Sequence, residues 1–360
     1  MRAETAYQRH AFNDTFQCPY CEAALRHFIN TQDWGWEELQ AVLAEAAALK
    51  LDPIQPRLQG RTIALLFFNP SLRTRTSFQI GAAQLGATAV VLEPGKGVWG
   101  IEFDSGKVMD GDAEEHIVEV ASVLSRYCDL IAMRVFPGFK NWQYDRNDPL
   151  IKALVRHARV PVINMETIVH PCQELAFAMT LQEKLGALKG KKLCLTWTWH
   201  PQPLSTAVPN SIVMIATKCG MDVTLLCPTP EYVLDERFMR AAQDNAAASG
   251  GRLAVAHDIA DGYRAADVVY ACSWGALPYY GDPEKEWSMS GTYRRFLVDQ
   301  RKMALTNAAF LSHCLPVRRN VEVADGVMDS PAWIAIDEAE NRLHVQKALM
   351  LSLLRTAAHS

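Results

Sequence analysis

No apolar run in this sequence approaches the roughly 20 residues that a membrane-spanning helix needs. The N-terminus also lacks the basic start and apolar core of a secretory signal. Charge of one sign is scarce: 36 lysines and arginines against 40 aspartates and glutamates leave a net charge of -4. That balance offers nothing like the basic face that nucleic acid demands. Internal repeats and low-complexity linkers are missing, and no G-x-G-x-x-G follows a candidate strand, which argues against a nicotinamide-dependent dehydrogenase. The nine cysteines are mostly scattered through apolar segments, as at Cys194, Cys219 and Cys227, and read as small buried hydrophobes in a reducing compartment. The expectation is a cytoplasmic protein with neither a membrane nor a nucleic-acid partner.

Cys18-Pro19-Tyr20-Cys21 has the spacing of a redox dithiol, but no strand pattern precedes it and no second ligand pair lies nearby to complete a zinc site. Residues 1–24 are expected to form a poorly ordered extension. A chain of 360 residues is too long for one ordinary core, so two domains are the default.

From about residue 25 the pattern becomes regular. Residues 34–50 read as an amphipathic helix with Leu39, Val42, Leu43 and Ala46 on one face. Strands are then expected at 62–69, 88–93, 129–136 and 160–164, with helices at 76–85, 114–126 and 150–157. A helix over 170–186 carries the chain across. Further strands are expected at 192–198, 222–226, 253–257, 267–271 and 308–313, with helices at 205–219, 235–248, 293–305 and 338–356. Gly220 is well placed to cap the 205–219 helix. Strands apolar almost throughout, such as 63–68, belong to parallel sheets covered on both faces. The expected fold is α/β: two doubly wound parallel-sheet domains, 25–170 and 171–337, flanking an active-site cleft. Residues 338–360 form a helix that packs back on the first domain.

In such sheets ligands bind beyond the carboxyl ends of strands. Ser71-Leu72-Arg73-Thr74-Arg75-Thr76 follows the first strand and precedes a helix. Hydroxyls, arginines and the free N–H groups of a helix start together make an anion site, although a capped helix with two solvated arginines fits the hexamer equally well. Arg134 closes the third strand, Glu166 and His170-Pro171-Cys172-Gln173 follow the fourth, and His313-Cys314-Leu315-Pro316 with Arg318 and Arg319 follow the last. Convergence of four such segments on one cleft favours a functional site.

SLRTRTSF, HPCQ and HCLP, in that order on this architecture, resemble the transcarbamylase family. The likeness runs from about residue 25 to the C-terminus and is strongest to the branch acting on Nα-acylated ornithines, through VVLEPGK, VMDGDAEEH, SWGALPYYG and IAIDEAENRLHVQKA among other stretches. It implies transfer of the carbamoyl group of carbamoyl phosphate to the δ-amine of N-acetyl-L-ornithine, a step of arginine biosynthesis, without metal or organic cofactor, in a homotrimer with shared active sites. By resemblance, Ser71, Leu72, Arg73 and Thr74 grip the phosphate. Arg134 and His170 hydrogen-bond the carbamoyl oxygen. Gln173 and the backbone carbonyls of Cys314 and Leu315 orient the carbamoyl nitrogen. Glu166, Leu315 and Arg318 are implied to contact the acceptor, and Trp99 and Glu114 to reach a neighbouring subunit's site. Glu114 would repel a succinyl carboxylate and so favour acetyl; its bland alternative, shared with Asp112 and Glu115, is charge complementation of a helix start.

Three positions depart from the family pattern. Glu322 stands where some relatives have a carboxylated lysine and is expected to substitute for it. Ser205 replaces an asparagine and Cys272 a lysine associated with the acceptor. A succinylornithine or plain ornithine enzyme of the same fold, and an inactive ligand-binding paralogue, are the alternatives.

Overall fold

The computed structural model describes residues 25–357; the Cys18/Cys21 motif and the expected extension over 1–24 lie outside the described residues. Helix α1 (Trp36–Leu51) opens the regular structure and buries Leu39, Val42, Leu43, Ala46 and Leu49, the face its spacing predicts. Strands β1 (Thr62–Phe67), β2 (Thr88–Leu92), β3 (Leu130–Arg134) and β4 (Val162–Glu166) form an all-parallel sheet in the order β2-β1-β3-β4. Strands β5 (Lys192–Trp197), β6 (Asp222–Leu226), β7 (Arg252–Ala256), β8 (Val268–Cys272) and β9 (Phe310–Ser312) form a second parallel sheet in the order β9-β8-β5-β6-β7. Chain direction across the sheet reverses between β1 and β3, and again between β5 and β8. These are the two places where carboxyl-end loops diverge and leave a crevice.

Alternation along β1 shows why its sequence is apolar throughout. Ile63, Leu65 and Phe67 enter one core, while Ala64 and Leu66 enter another on the opposite face. That second core is closed by helices α3 (Ile117–Tyr127) and α4 (Pro149–His157). The first core runs without interruption from β1 into β5 and β8 of the other sheet. Helix α5 (Pro171–Leu185) carries it across, with every residue from Pro171 to Leu181 buried.

The helices that matter for the site are α2 (Leu72–Gln84), α6 (Ala207–Lys218), α7 (Glu236–Ser249), α8 (Pro283–Ser290) and α9 (Ala335–Ala357). Beyond α6, Gly220 takes φ 78°, the left-handed conformation expected of a helix terminator. Helix α9 packs against α1, α2 and α5, as the sequence predicts. At the α2 contact a Cβ on Gly81 would lie 3.1 Å from Lys347 Cγ, so glycine sets the closeness of the two helices.

Several elements differ from the sequence expectation. Helix α2 begins at Leu72, four residues before the expected start, because Ser71 caps it: its side chain accepts the Thr74 N–H at 3.2 Å. Helix α3 begins at Ile117, because Glu115–His116 pairs with Ile101–Glu102 and His116 is its cap. Its first-turn acid is Glu119, so Asp112, Glu114 and Glu115 do not complement that helix start. The single helix expected over 293–305 is two pieces, the 3₁₀ turn Gly291–Phe296 and the helix Gln300–Met303. Between them Val298 bridges to Val323, and Asp299 caps the second piece by accepting the Lys302 N–H at 2.9 Å. Helix α8, started by an Asp282-Pro283 cap, was not anticipated.

Candidate active site

The early start of α2 places Leu72, Arg73 and Thr74 in its first turn, where backbone N–H groups have no intrahelical acceptor. Leu72 points outward and is 76 % exposed, so its backbone rather than its side chain faces any ligand. Arg73 is half-buried, and its Nε has no hydrogen-bond partner among the described residues. Burial lowers the pKa of Arg73, and Cys314, Arg134 and Glu166 lie close enough to influence it. Arg75 turns away to an ion pair with Glu93 at 3.0 Å.

Thr74 is fully buried and its Oγ1 accepts Arg342 Nη2 at 2.6 Å. Arg342, on α9, is 2 % exposed, and the charges of Arg134, Glu166 and Arg73 all reach it. Three guanidinium groups thus meet in one recess, and among the described residues Glu166 is the only carboxylate paired with any of them. Buried cations in excess of their partners are costly unless an anion completes the set. The recess has the charge and the helix-start geometry that suit an anion.

Glu166, the last residue of β4, is the hub. It pairs with Arg134 Nη1 from the end of β3, and the same oxygen, Oε2, lies 3.2 Å from His170 Nε2. Burial raises the Glu166 pKa, opposed by Arg134. Burial, then Arg342, Arg134 and Arg73, hold His170 well below its ordinary pKa. His170 is therefore a neutral imidazole that donates through Nε2, leaving Nδ1 buried and unpaired among the described residues. His170 also caps α5, where its backbone N–H donates to Ser211 Oγ at 2.8 Å. One turn in, Gln173 is buried; its amide nitrogen donates to Glu338 of α9, and its Oε1 has no partner among the described residues.

The loop after β9 closes the recess from the second sheet. Leu315 adopts φ 51°, an uncommon left-handed conformation for a leucine. Its N–H donates to His313 Nδ1 at 2.9 Å, and His313 Nε2 donates to Glu322 Oε1 at 3.3 Å. The other Glu322 oxygen accepts the Arg318 N–H at 2.8 Å. Both oxygens of Glu322 are thus engaged in holding this loop. The side chain of Arg318 reaches across to β5's following segment, donating to His200 Nε2 at 2.9 Å. Cys272, at the end of β8, is buried beside Cys314, which it helps hold well below the ordinary thiol pKa.

The structure therefore gathers Arg73, Thr74, Arg134, Glu166, His170, Gln173 and Cys314, and sets Cys272, Leu315, Arg318 and Glu322 around the facing loop. It does not join the others. Trp99 and Glu114 are exposed on the segment between β2 and α3, and no hydrogen bond or ion pair links either to the arginine recess among the described residues. Ser205 accepts the Ala207 N–H at 3.1 Å ahead of α6. Two participants escaped the sequence reading, Glu338 and Arg342. Both lie on the apolar stripe of α9 with Val345 and Leu349, and charges at positions reserved for a buried face were the signal.

Comparison with known proteins places this geometry. Residues 26–183 match the aspartate/ornithine carbamoyltransferase, carbamoyl-P binding domain, and residues 191–353 match the Asp/Orn binding domain of the same family. The chain is 61 % identical over 333 residues to an N-acetylornithine carbamoyltransferase of Xanthomonas campestris pv. campestris, covering 92 % of this chain and 98 % of that protein. It is 39 % identical over 324 residues to an N-succinylornithine carbamoyltransferase of Bacteroides fragilis, covering 88 % of this chain and 95 % of that one. A crystal structure of acetylornithine transcarbamylase complexed with acetylcitrulline superposes with a TM-score of 0.91 at 61 % identity, covering 91 % of this chain and 99 % of the other.

Proposed function

The chain belongs to the aspartate/ornithine carbamoyltransferase family, and from that premise we propose that it carries the carbamoyl group of carbamoyl phosphate to the δ-amine of N-acetyl-L-ornithine. The products are N-acetyl-L-citrulline and phosphate, and the reaction is a step of arginine biosynthesis. The amine nitrogen attacks the carbamoyl carbon, the carbonyl π electrons move onto oxygen, and the carbon–oxygen bond to phosphate then breaks. The amine proton leaves with the phosphate or to solvent. The observation that carries this reading is the recess of Arg73, Arg134 and Arg342 around Thr74, which holds more positive charge than the described residues neutralise.

In this reading the phosphate sits on the first turn of α2, held by the Ser71 and Thr74 hydroxyls, the N–H groups of Leu72 and Arg73, and the Arg73 and Arg342 guanidiniums. Arg134 and the Nε2–H of His170 turn from Glu166 to the carbonyl oxygen, whose negative charge grows during attack. That exchange frees the Glu166 carboxylate to accept from the acylated amine of the acceptor. Gln173 Oε1 and the backbone carbonyls of Cys314 and Leu315 hold the carbamoyl NH₂, fixing its plane for attack. Arg318 and the segments around Ser205, Cys272 and Glu322 face the acceptor. No step calls on a metal or an organic cofactor.

The exposed Trp99 and Glu114 complete the site of a neighbouring subunit in a homotrimer, where Glu114 disfavours a succinyl carboxylate. Trp99 then bears on bound carbamoyl phosphate across the subunit boundary. No helix among the described residues is long and apolar enough to cross a membrane, and the enzyme works in the cytoplasm. The test supplies carbamoyl phosphate with ornithine, N-acetylornithine or N-succinylornithine in parallel and measures phosphate release and the carbamoylated product. Turnover should be highest with N-acetylornithine; a preference for either other amine overturns the assignment of acceptor.

A further inference from the structure

Glu338 lies in the first turn of α9 and is fully buried. Three donors from three elements converge on its carboxylate: Gln173 Nε2 from α5, Tyr270 Oη from β8 at 3.0 Å, and Ser312 Oγ from β9. In its ionised form Glu338 only accepts hydrogen bonds, so the nitrogen end of the Gln173 amide is then the end that faces it. The oxygen end, Oε1, is then turned the other way, buried and without a protein donor among the described residues. A buried acceptor left unsatisfied is costly, and its natural complement is a ligand N–H. A carbamoyl group offers an NH₂ with two donors.

Resting on the carbamoyl-transfer reading above, we propose that Glu338 is a positioning residue that fixes the Gln173 amide with Oε1 towards the carbamoyl nitrogen. With the amide flipped, donor would face donor, and the planar carbamoyl group would lose the contact that sets its angle to the incoming amine. Tyr270 and Ser312 hold Glu338 in turn. The second sheet thereby helps aim a side chain that belongs to α5.

The test compares Glu338→Leu, which removes the acceptor facing Gln173, with Tyr270→Phe in the full chain. Glu338→Leu lowers kcat/KM for carbamoyl phosphate roughly 10- to 100-fold, leaves the acceptor KM within about two-fold, and shows the Gln173 amide turned in its crystal structure. Tyr270→Phe removes a Glu338 donor but keeps the Gln173 contact, so it lowers thermal stability while kcat/KM changes by less than about three-fold. A merely structural Glu338 would give both variants the same loss and would leave the Gln173 amide in place. Either of those results overturns the proposal. Should Glu338→Leu fail to fold, Glu338→Asp keeps the charge and withdraws it by one methylene, with a smaller loss in the same direction expected. Absence of carbamoyl transfer by the unaltered chain would defeat the functional reading instead, and the orientation of Gln173 in the variant crystal would still decide the role of Glu338.

Discussion

Arg134 and His170 share one oxygen of Glu166, so a single carboxylate restrains both groups aimed at the carbamoyl oxygen. Of the three recess arginines, Arg73 and Arg134 differ in what they leave behind when removed. Arg73 is half-buried and has no ion-pair partner among the described residues, so Arg73→Ala should cut kcat/KM by about 10²–10³ with little change in a urea melt. Arg134→Ala should match that loss and also cost about 3–5 kcal/mol, because the buried Glu166 is left unpaired. An Arg134→Ala protein as stable as its parent would show that the pair contributes nothing to the fold. Thiol chemistry gives an independent probe. Cys314 is held well below the ordinary thiol range by the Cys272 thiol, against burial. Burial pushes Cys172 up to about 12. Iodoacetamide should therefore label Cys314 before Cys172 at neutral pH, and carbamoyl phosphate should slow that labelling. Mass spectrometry showing Cys172 modified first would contradict the assigned ionisation.

At the scale of elements, α9 joins the site to the frame. Its Arg342 bonds Thr74, and its Lys347 donates to Leu49 O at 3.3 Å, Pro53 O at 3.0 Å and Gln84 Oε1 at 2.8 Å. Burial pushes Glu338 from 4.5 up to about 7, opposed by the bonds from Ser312, Gln173 and Tyr270. A raised carboxyl pKa means the folded chain holds its proton longer than the unfolded chain does. Stability from this group is therefore full below 4.5 and declines as pH rises to about 7, by on the order of 3 kcal/mol. Urea melts across that window should show the parent losing ground to Glu338→Gln; parallel curves would mean that Glu338 does not titrate there. The existence of the main strands and their positions along the chain were legible because buried parallel strands read as apolar runs. The boundaries of α2, α3 and the 291–303 segment were not, because single caps at Ser71, His116 and Asp299 set them. Convergence of Arg73, Arg134, His170 and Gln173 could be inferred from their places after strands. Glu338 and Arg342 could not be assigned in that way, since they sit inside a helix rather than after a strand, and their charge on its buried face was the one signal.

For the whole molecule, one apolar core links both sheets through α5 and α9, so the halves of the site are braced by shared packing rather than by a hinge of loose chain. A place for Trp99 and Glu114 in a neighbouring subunit's site rests on resemblance alone, because periodicity within one chain carries no record of a second subunit. If they complete a neighbour's site, mixing Arg73→Ala with Trp99→Ala protein after reversible dissociation should restore activity through hybrid trimers. Two inactive variants that stay inactive on mixing would place Trp99 outside the shared site. Replacing Glu114 with alanine should move the acyl preference from acetyl towards succinyl, read as the ratio of the two kcat/KM values; an unchanged ratio would remove Glu114 from acceptor choice.

Helix α9 contributes Arg342 to a recess whose other arginines, Arg73 on α2 and Arg134 at the end of β3, lie more than 200 residues earlier in the chain. On the ribosome the early sheet therefore emerges long before its third cation. A nascent chain at that stage offers α2 an unfilled partner for Thr74 and leaves the faces of α1 and α5 uncovered. Substrate affinity and protection of those faces should arrive together, only once residues 335–357 have left the exit tunnel.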